Sequence, residues 1–258
     1  MLSLKLFAAT VFFSMFFTST IIAQRQYECE IACNEFLAFD SILFFQEVCQ
    51  VDVLDKNDGL NTNLFGFYFD EFPQIRNDML SALHFYPELA NVNIEFKYKP
   101  IKQTMNSRPL VGNIFRTKDN RRYTIIVNNN LGRIKGLPFE KLSFNIRSGW
   151  LGHELAHICS YEKMSNWQTF WFSLKYVFSK KYLRNVERFT DYTTVEHGLA
   201  YPLYDGTDYL CKNKDISEKY RKHAIINSLS LEEIKCFWCH YNCDKILISA
   251  ENSNKARH

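Results

Sequence analysis

Residues 153–157 read His-Glu-Leu-Ala-His, an HExxH arrangement in which two histidines lie four positions apart. An α-helix advances about 100° per residue, so His153 and His157 share one helical face, one turn apart. Two imidazoles placed in this way can bind one tetrahedral zinc ion. Glu154 can reach a water molecule on such an ion and take its proton. The chain must therefore form a helix here, and a third ligand must come from elsewhere in the fold.

A third protein ligand is required because two histidines and a water leave zinc under-coordinated. In the extended HExxHxxGxxH pattern the third ligand is a nearby histidine, but this chain has Ser160 and Lys163 at the last two defined positions of that pattern. The ligand must therefore lie farther along the chain.

Residues 187–191 read Glu-Arg-Phe-Thr-Asp, so Glu187 and Asp191 are four positions apart and share a helical face. If Glu187 binds the metal, Asp191 can accept a hydrogen bond from the ring of a ligand histidine, which fixes its tautomer. The alternative is that both carboxylates are solvated helix charges, with Glu187 balanced by Arg184 or Arg188. Spacing alone favours neither interpretation.

The combination of HELAH with a downstream Glu-x-x-x-Asp resembles the gluzincin branch of the zinc metallopeptidases. Residues from Leu151 to about Tyr204 are also similar to small exported HExxH proteins of bacteria. The gluzincin resemblance implies that His153, His157 and Glu187 bind one catalytic Zn²⁺ and that Glu154 is the general base. It further implies that Asp191 orients a ligand histidine.

The same resemblance implies an α+β, zincin-like fold, with a small twisted β-sheet packed on the HExxH helix and a mostly helical C-terminal lobe. The family's edge strand, which pairs with extended substrate beside the cleft, would correspond to Tyr123–Val127. The function implied is a secreted zinc-dependent metallopeptidase that acts on peptides or proteins. The alternative is a non-catalytic zinc-binding or disulfide-stabilised extracellular interaction module on the same scaffold.

The N-terminal segment has the pattern of a secretory signal peptide. Lys5 precedes an uncharged run from Leu6 to Ala23, and polar residues return at Gln24. We expect cleavage near Ala23 and a single domain over 24–258. The alternative is an uncleaved membrane anchor, and only in that case would the protein contact a membrane. The net charge of +3 is too small to indicate a nucleic-acid partner.

All eight cysteines follow this segment, and an even count behind an export signal is typical of disulfides. Two groups have helical spacing: Cys29 with Cys33, and Cys236 with Cys239 and Cys243. This spacing predicts a C-terminal helix linked by disulfides to an N-terminal one. The alternative is a structural zinc site that uses Cys236, Cys239, His240 or Cys243. Cys159 follows His157 by two residues and points to the other side of that helix, so we expect a disulfide or a buried thiol there.

The periodicity divides the mature chain into a helical part at about 27–90, a strand block at about 91–130, the motif helix at about 143–161 and a helical lobe at about 165–258. Alternating apolar residues predict a strand from Val92 to Tyr98, and further strands are expected at Leu110–Thr117 and Arg122–Asn128. Ser143 is the expected N-cap of the motif helix. Gly152, before the first histidine, could allow another backbone to approach closely.

Trp167 to Phe178 is rich in aromatic residues and predicts a helix. We favour burial of this helix over a role on a membrane surface, because Lys180, Lys181 and Arg184 lie beyond its end and not along one face. His197, Tyr201 and Tyr204 follow Glu187, but none of them is predicted to donate a hydrogen bond to the reaction centre.

Overall fold

The computed structural model describes residues 64–65, 73–101, 103–110, 112–113, 116–117, 120–128, 139 and 142–242. The expected signal peptide, Met1–Ala23, and most of the predicted N-terminal helical part lie outside this range. The chain divides into two compact units, Leu43–Phe237 and Met1–Ile42 together with Trp238–His258. Every site discussed below belongs to Leu43–Phe237. Within the described residues, no helix is both long and apolar enough to span a bilayer.

A small sheet contains four strands in the order β1-β2-β4-β3. Strands β1 (Leu64–Phe65), β2 (Asn93–Lys99) and β4 (Arg122–Asn128) are parallel to one another, whereas β3 (Met105–Pro109) pairs antiparallel with β4. The predicted alternation in β2 is confirmed, since Ile94, Phe96 and Tyr98 are buried between more exposed polar residues. Strand β4 has the predicted bounds.

The strand predicted at Leu110–Thr117 is wrong. The structure places β3 earlier, at Met105–Pro109, and the described residues after Leu110 form short turns. The Asn113 side chain explains the difference. Its amide donates to the Arg122 carbonyl at 2.6 Å and its oxygen accepts from the Arg122 N–H at 2.9 Å. These bonds satisfy backbone groups that a longer strand would otherwise pair.

The assignment of Tyr123–Val127 to the edge strand is also wrong, because β4 lies between β2 and β3. The edge strand beside the motif helix is β3. The residues of β4 are buried almost throughout, as expected for a strand covered on both sides.

The remaining described chain is mostly helical. The helices are α1 (Pro73–His84), α2 (Phe144–Lys163), α3 (Asn166–Phe178), α4 (Lys180–Glu196), α5 (Ala200–Lys212), α6 (Glu218–Asn227) and α7 (Leu231–Tyr241), with a 3₁₀ turn at Pro87–Leu89. Ser143 caps α2 as predicted, accepting a hydrogen bond from the Ile146 N–H at 3.3 Å. Gly198, with φ of +88°, ends α4 in the left-handed conformation that favours glycine. The architecture is therefore α+β, with a small sheet and mostly helical content.

The motif helix α2 is buried along most of its length and contacts α1, α4, α5 and β3. The close backbone approach expected at Gly152 occurs one turn earlier, at Gly149. A Cβ at Gly149 would lie 2.3 Å from the Pro202 carbonyl oxygen of α5, whereas one at Gly152 would meet the Leu199 side chain at 2.4 Å. A buried helix contacted by four elements can position side chains on more than one face.

The expected burial of α3 is wrong for most of its aromatic residues. Trp167 is 65% exposed and Phe178 is 82% exposed, while Phe172 is the buried aromatic residue of this helix. Phe172 contacts the rings of Tyr161 and Tyr182, so α3 packs through one side. The residues on the opposite side, among them Trp171 and Val177, are exposed.

Candidate metal centre

Helices α2 and α4 bring His153, His157 and Glu187 together, and we call these residues the front triad. One nitrogen from each ring and one carboxylate oxygen all lie within 4.8 Å of one another. The two ring centroids are 4.8 Å apart, as expected for histidines separated by one helical turn. The Glu187 oxygens lie 3.2 Å from His153 Nε2 and 3.6 Å from His157 Nε2.

The His153 ring is oriented by Asp191, which lies one turn after Glu187 on α4. His153 Nδ1 lies 2.7 Å from Asp191 Oδ1, and a carboxylate can only accept, so Nδ1 carries the hydrogen. Asp191 is itself held in place, because its Oδ2 accepts from the Leu229 N–H at 2.8 Å. In the neutral ring, Nε2 therefore presents its lone pair to the centre of the front triad.

The His157 ring is oriented by Thr190, which the sequence analysis did not single out. The Thr190 hydroxyl donates to the Val186 carbonyl at 2.9 Å, which uses its one hydrogen. Thr190 Oγ1 also lies 3.2 Å from His157 Nδ1, so this oxygen accepts from Nδ1–H. The Nε2 atom of His157 thus also directs its lone pair toward Glu187.

The charges of the front triad reinforce one another. Burial alone would raise the pKa of Glu187, but His157 and His153 outweigh it and hold that pKa well below its ordinary value. Burial lowers the pKa of His153, but its contacts with Asp191 and Glu187 raise this pKa by more. The net pKa is therefore well above its ordinary value. A proton on His153 Nε2 thus faces Glu187 at the place where a metal ion would otherwise lie.

The alternative assignment of Glu187 to a solvated ion pair does not match these contacts. Arg188 forms a salt bridge with Glu233 of α7 and donates to the Ser228 carbonyl at 3.0 Å. Glu187 instead accepts a hydrogen bond from the Tyr176 hydroxyl of α3. Burial and the Glu187 carboxylate both raise the pKa of Tyr176, so this hydroxyl keeps its proton and acts as the donor.

Glu154 is buried and points toward the edge strand β3. Its Oε2 accepts a hydrogen bond from the Ser107 N–H at 2.6 Å. A short hydrogen bond from a backbone amide restricts the carboxylate to one orientation. This contact joins the motif helix to the sheet at the position where the sequence predicts a general base.

A cavity of about 160 Å³ opens beside the front triad. It is lined by residues of α2, α4 and the start of β3, and by residues of α3, α5 and α6 that the sequence analysis did not assign to the site. The latter group includes Tyr176, Leu203, Thr207, Tyr220, His223 and Asn227. His197, Tyr201 and Tyr204 are not among the lining residues. The order of residues along the chain gave no signal for Tyr220 and His223, which reach the cavity through the packing of α6.

No protein family, curated protein or solved structure matches this chain.

Proposed function

We propose that the protein is a zinc-dependent metallopeptidase with a zincin-like arrangement, in which the front triad binds one catalytic Zn²⁺ and Glu154 is the general base. The observation that carries this proposal is the convergence of two imidazole Nε2 lone pairs and one carboxylate on a shared point. In both rings Nδ1–H is already bonded to an acceptor on α4. This second contact is the usual partner of a metal-binding histidine.

The donor set fits zinc. Two imidazole nitrogens and one carboxylate oxygen leave one tetrahedral position open, as in catalytic zinc sites. When bound, such an ion is a Lewis acid that acidifies a water molecule and polarises a carbonyl. His157 and His153 hold the pKa of the Glu187 carboxylate low despite its burial, so the third ligand is ionised and available.

Glu154 has the position and the support that proton transfer requires. It follows His153 directly on α2 and lines the same cavity. The Ser107 N–H holds Oε2, and no described residue binds Oε1, which remains available to a water molecule. Glu154 then accepts the water proton and delivers it to the leaving amine, a role worth about 10²–10⁴ in rate.

The edge strand β3 is suited to hold an extended peptide. The Asn128 N–H donates to Thr104 O and the Leu110 N–H donates to Arg122 O, so alternate residues of this segment face β4. The intervening residues, Met105 and Ser107, direct their backbone groups outward. The Ser107 N–H already donates to Glu154, so a substrate strand would pair with the backbone of Met105. Because Gln103 to Asn106 line the cavity, a substrate strand paired with β3 would pass the front triad.

We further propose that the protein acts outside the cytoplasm after removal of Met1–Ala23, and that its substrate is a peptide or an unfolded protein segment. Mass spectrometry of the mature protein tests the first part. A start at or near Gln24 supports export with cleavage, and a retained Leu6–Ala23 segment would mean a membrane anchor instead.

Two substitutions test the proposed function itself. Glu187→Gln should remove one equivalent of zinc, measured by plasma mass spectrometry after dialysis. The matched control is Glu196→Gln, an exposed glutamate of the same helix, which should keep wild-type zinc. Equal zinc content in Glu187→Gln and wild type would remove Glu187 from the site.

Glu154→Gln should keep its zinc and lose hydrolysis of a mixed peptide library by about 10²–10⁴-fold. If wild-type protein binds zinc at the front triad but Glu154→Gln changes no cleavage, the protein is a non-catalytic zinc-binding module.

A further inference from the structure

A second group of metal-binding side chains lies on the other side of α2. Glu88 comes from the 3₁₀ turn at Pro87–Leu89, Cys159 from α2, and His197 from the end of α4, and we call them the back triad. One carboxylate oxygen, the thiol sulfur and one ring nitrogen all lie within 4.8 Å of one another. Cys159 is about 200° around the helix from His157, so the two triads do not share ligands.

The His197 ring has its hydrogen-bonding roles assigned by its neighbours. Nδ1 lies 2.7 Å from the Thr193 carbonyl, which can only accept, so Nδ1 carries the hydrogen. In the neutral ring, Nε2 is then an acceptor, and it lies 2.9 Å from Glu88 Oε1, which is also an acceptor. Two facing acceptors repel each other unless a proton or a metal ion lies between them.

The Cys159 sulfur is the third donor of the back triad. This side chain is buried, forms no disulfide, and lies 3.3 Å from the same Glu88 oxygen. The ring of Tyr86 stacks on His197 at a centroid distance of 4.3 Å, which holds the imidazole in its plane. The donors of the back triad are thus held in place before any ion binds.

We propose that Glu88, Cys159 and His197 bind a second Zn²⁺, which has a structural role. A thiolate, an imidazole and a carboxylate are the three side-chain ligands that zinc uses in proteins. The Glu88 side chain is 42% exposed, which leaves a water molecule access to the fourth position. On binding, the thiol proton and any proton on His197 Nε2 pass to solvent, while Nδ1–H stays on the Thr193 carbonyl.

A metal ion here would link three segments that are distant in sequence. The turn that carries Glu88 precedes Cys159 by 71 residues and His197 by 109 residues. The ion would connect this turn to the two helices, α2 and α4, that supply the front triad. The back triad lines no part of the cavity. Its expected role is therefore to hold the two helices in register.

Cobalt substitution of the full-length protein tests this proposal, because a thiolate bound to Co²⁺ gives a charge-transfer band in the near ultraviolet. We expect wild-type protein to bind two Co²⁺ and to show this band. Cys159→Ser should lose the band and one equivalent of metal. The matched control is Cys211→Ser, which changes an exposed cysteine and should leave both readouts unchanged.

The two triads are separable by the same measurement. Glu187→Gln should lose one Co²⁺ and keep the thiolate band, because the front triad contains no sulfur. If the metallopeptidase proposal is wrong, the thiolate band is still observed. If the back triad binds no metal, hydrolysis and one bound metal ion are still observed.

Glu88→Gln tests the same site in case Cys159→Ser fails to fold. Glu88 is partly exposed, so its substitution should not disrupt the fold. It should retain the circular dichroism of wild type and lose the band. A band that persists in both Cys159→Ser and Glu88→Gln, or a wild-type protein with no band, would overturn the proposal and leave an imidazolium–carboxylate ion pair at this position.

Discussion

The two sides of α2 carry similar donors in different surroundings. The front triad offers two imidazoles and a carboxylate beside a cavity, whereas the back triad offers one imidazole, a thiol and a carboxylate beneath the Tyr86 ring. In each histidine, Nδ1 is bonded to an acceptor on α4, so each Nε2 points into its triad. The ligand geometry alone therefore does not distinguish a reactive site from a structural one.

The difference lies in what adjoins each triad. Glu154 and the start of the edge strand β3 line the cavity next to the front triad. The back triad instead contains the buried Cys159 thiol, and the Tyr86 ring stacks on its histidine, His197. On the proposed roles, the open cavity and the Glu154 carboxylate would give the front triad its chemistry, whereas the back triad would only link distant segments of the chain.

The largest effect that separates the two triads is on the free energy of unfolding. Zinc at 1,000 times its Kd stabilises a folded protein by about 4 kcal/mol per site. Urea unfolding of chelator-treated protein, with and without zinc, should show a gain from two sites in wild type. His197→Asn and Glu187→Gln should each retain the gain from one site. Gains equal to that of wild type in both variants would contradict the two-site comparison.

Zinc affinity at the front triad should depend on the residues behind it. Asp191→Asn leaves one side-chain oxygen for two donors, His153 Nδ1–H and the Leu229 N–H, and Tyr176→Phe removes the donor to Glu187. We expect either substitution to weaken zinc binding by about 10–100-fold. Competition with a chromophoric chelator measures this change. Asp208→Asn, which alters a surface salt bridge with Lys212, is the control and should bind zinc as wild type does. Unchanged affinity in Asp191→Asn would mean that its contact with His153 does not support the metal.

The packing of α2 should respond differently at its two glycines. Gly149→Ala places a Cβ against the α5 backbone, so overpacking of about 1–3 kcal/mol should exceed the gain of about 1 kcal/mol in helix propensity. At Gly152 the obstacle is the end of the Leu199 side chain, which can move, so Gly152→Ala should cost less. Denaturant midpoints compare the two variants, and a greater loss in Gly152→Ala would refute this ranking.

The smallest effect is expected from Tyr86→Phe. It removes the 2.7 Å hydrogen bond from the Tyr86 hydroxyl to the Gly152 carbonyl but keeps the ring stacked on His197. The expected loss of stability is about 0.5–1.5 kcal/mol, because one neutral hydrogen bond is removed. Metal content should not change. Loss of the thiolate–cobalt band in Tyr86→Phe would show that the hydroxyl, and not the ring, maintains the back triad.

The local features of the fold were predictable because they repeat over short distances. The N-cap of α2 at Ser143 and the bounds of β4 follow from residue type and period. Helical geometry also predicts which side chains share a face, since His153 and His157 are four residues apart, as are Glu187 and Asp191. Asp191 was singled out as a partner for a ligand histidine on that basis, and it contacts His153.

Features that depend on tertiary packing were not predictable from the chain. Ser107 meets Glu154 because β3 lies at the sheet edge, and this position depends on how the strands pair. The exposure of α3 follows from how many elements pack on it, which its aromatic composition does not reveal. Glu88 and His197 are 109 residues apart, so no local pattern could bring them together.

Helix α4 supplies Glu187 near its middle and ends at Glu196, with His197 as its C-cap and Gly198 in the left-handed conformation directly after it. An inserted or deleted residue between these positions would rotate one end of the helix against the other by about 100°. Glu187 or His197 would then point away from its triad, whatever side chains the rest of the helix carried. Over evolutionary time this helix should accept changes of residue type more readily than any change of length.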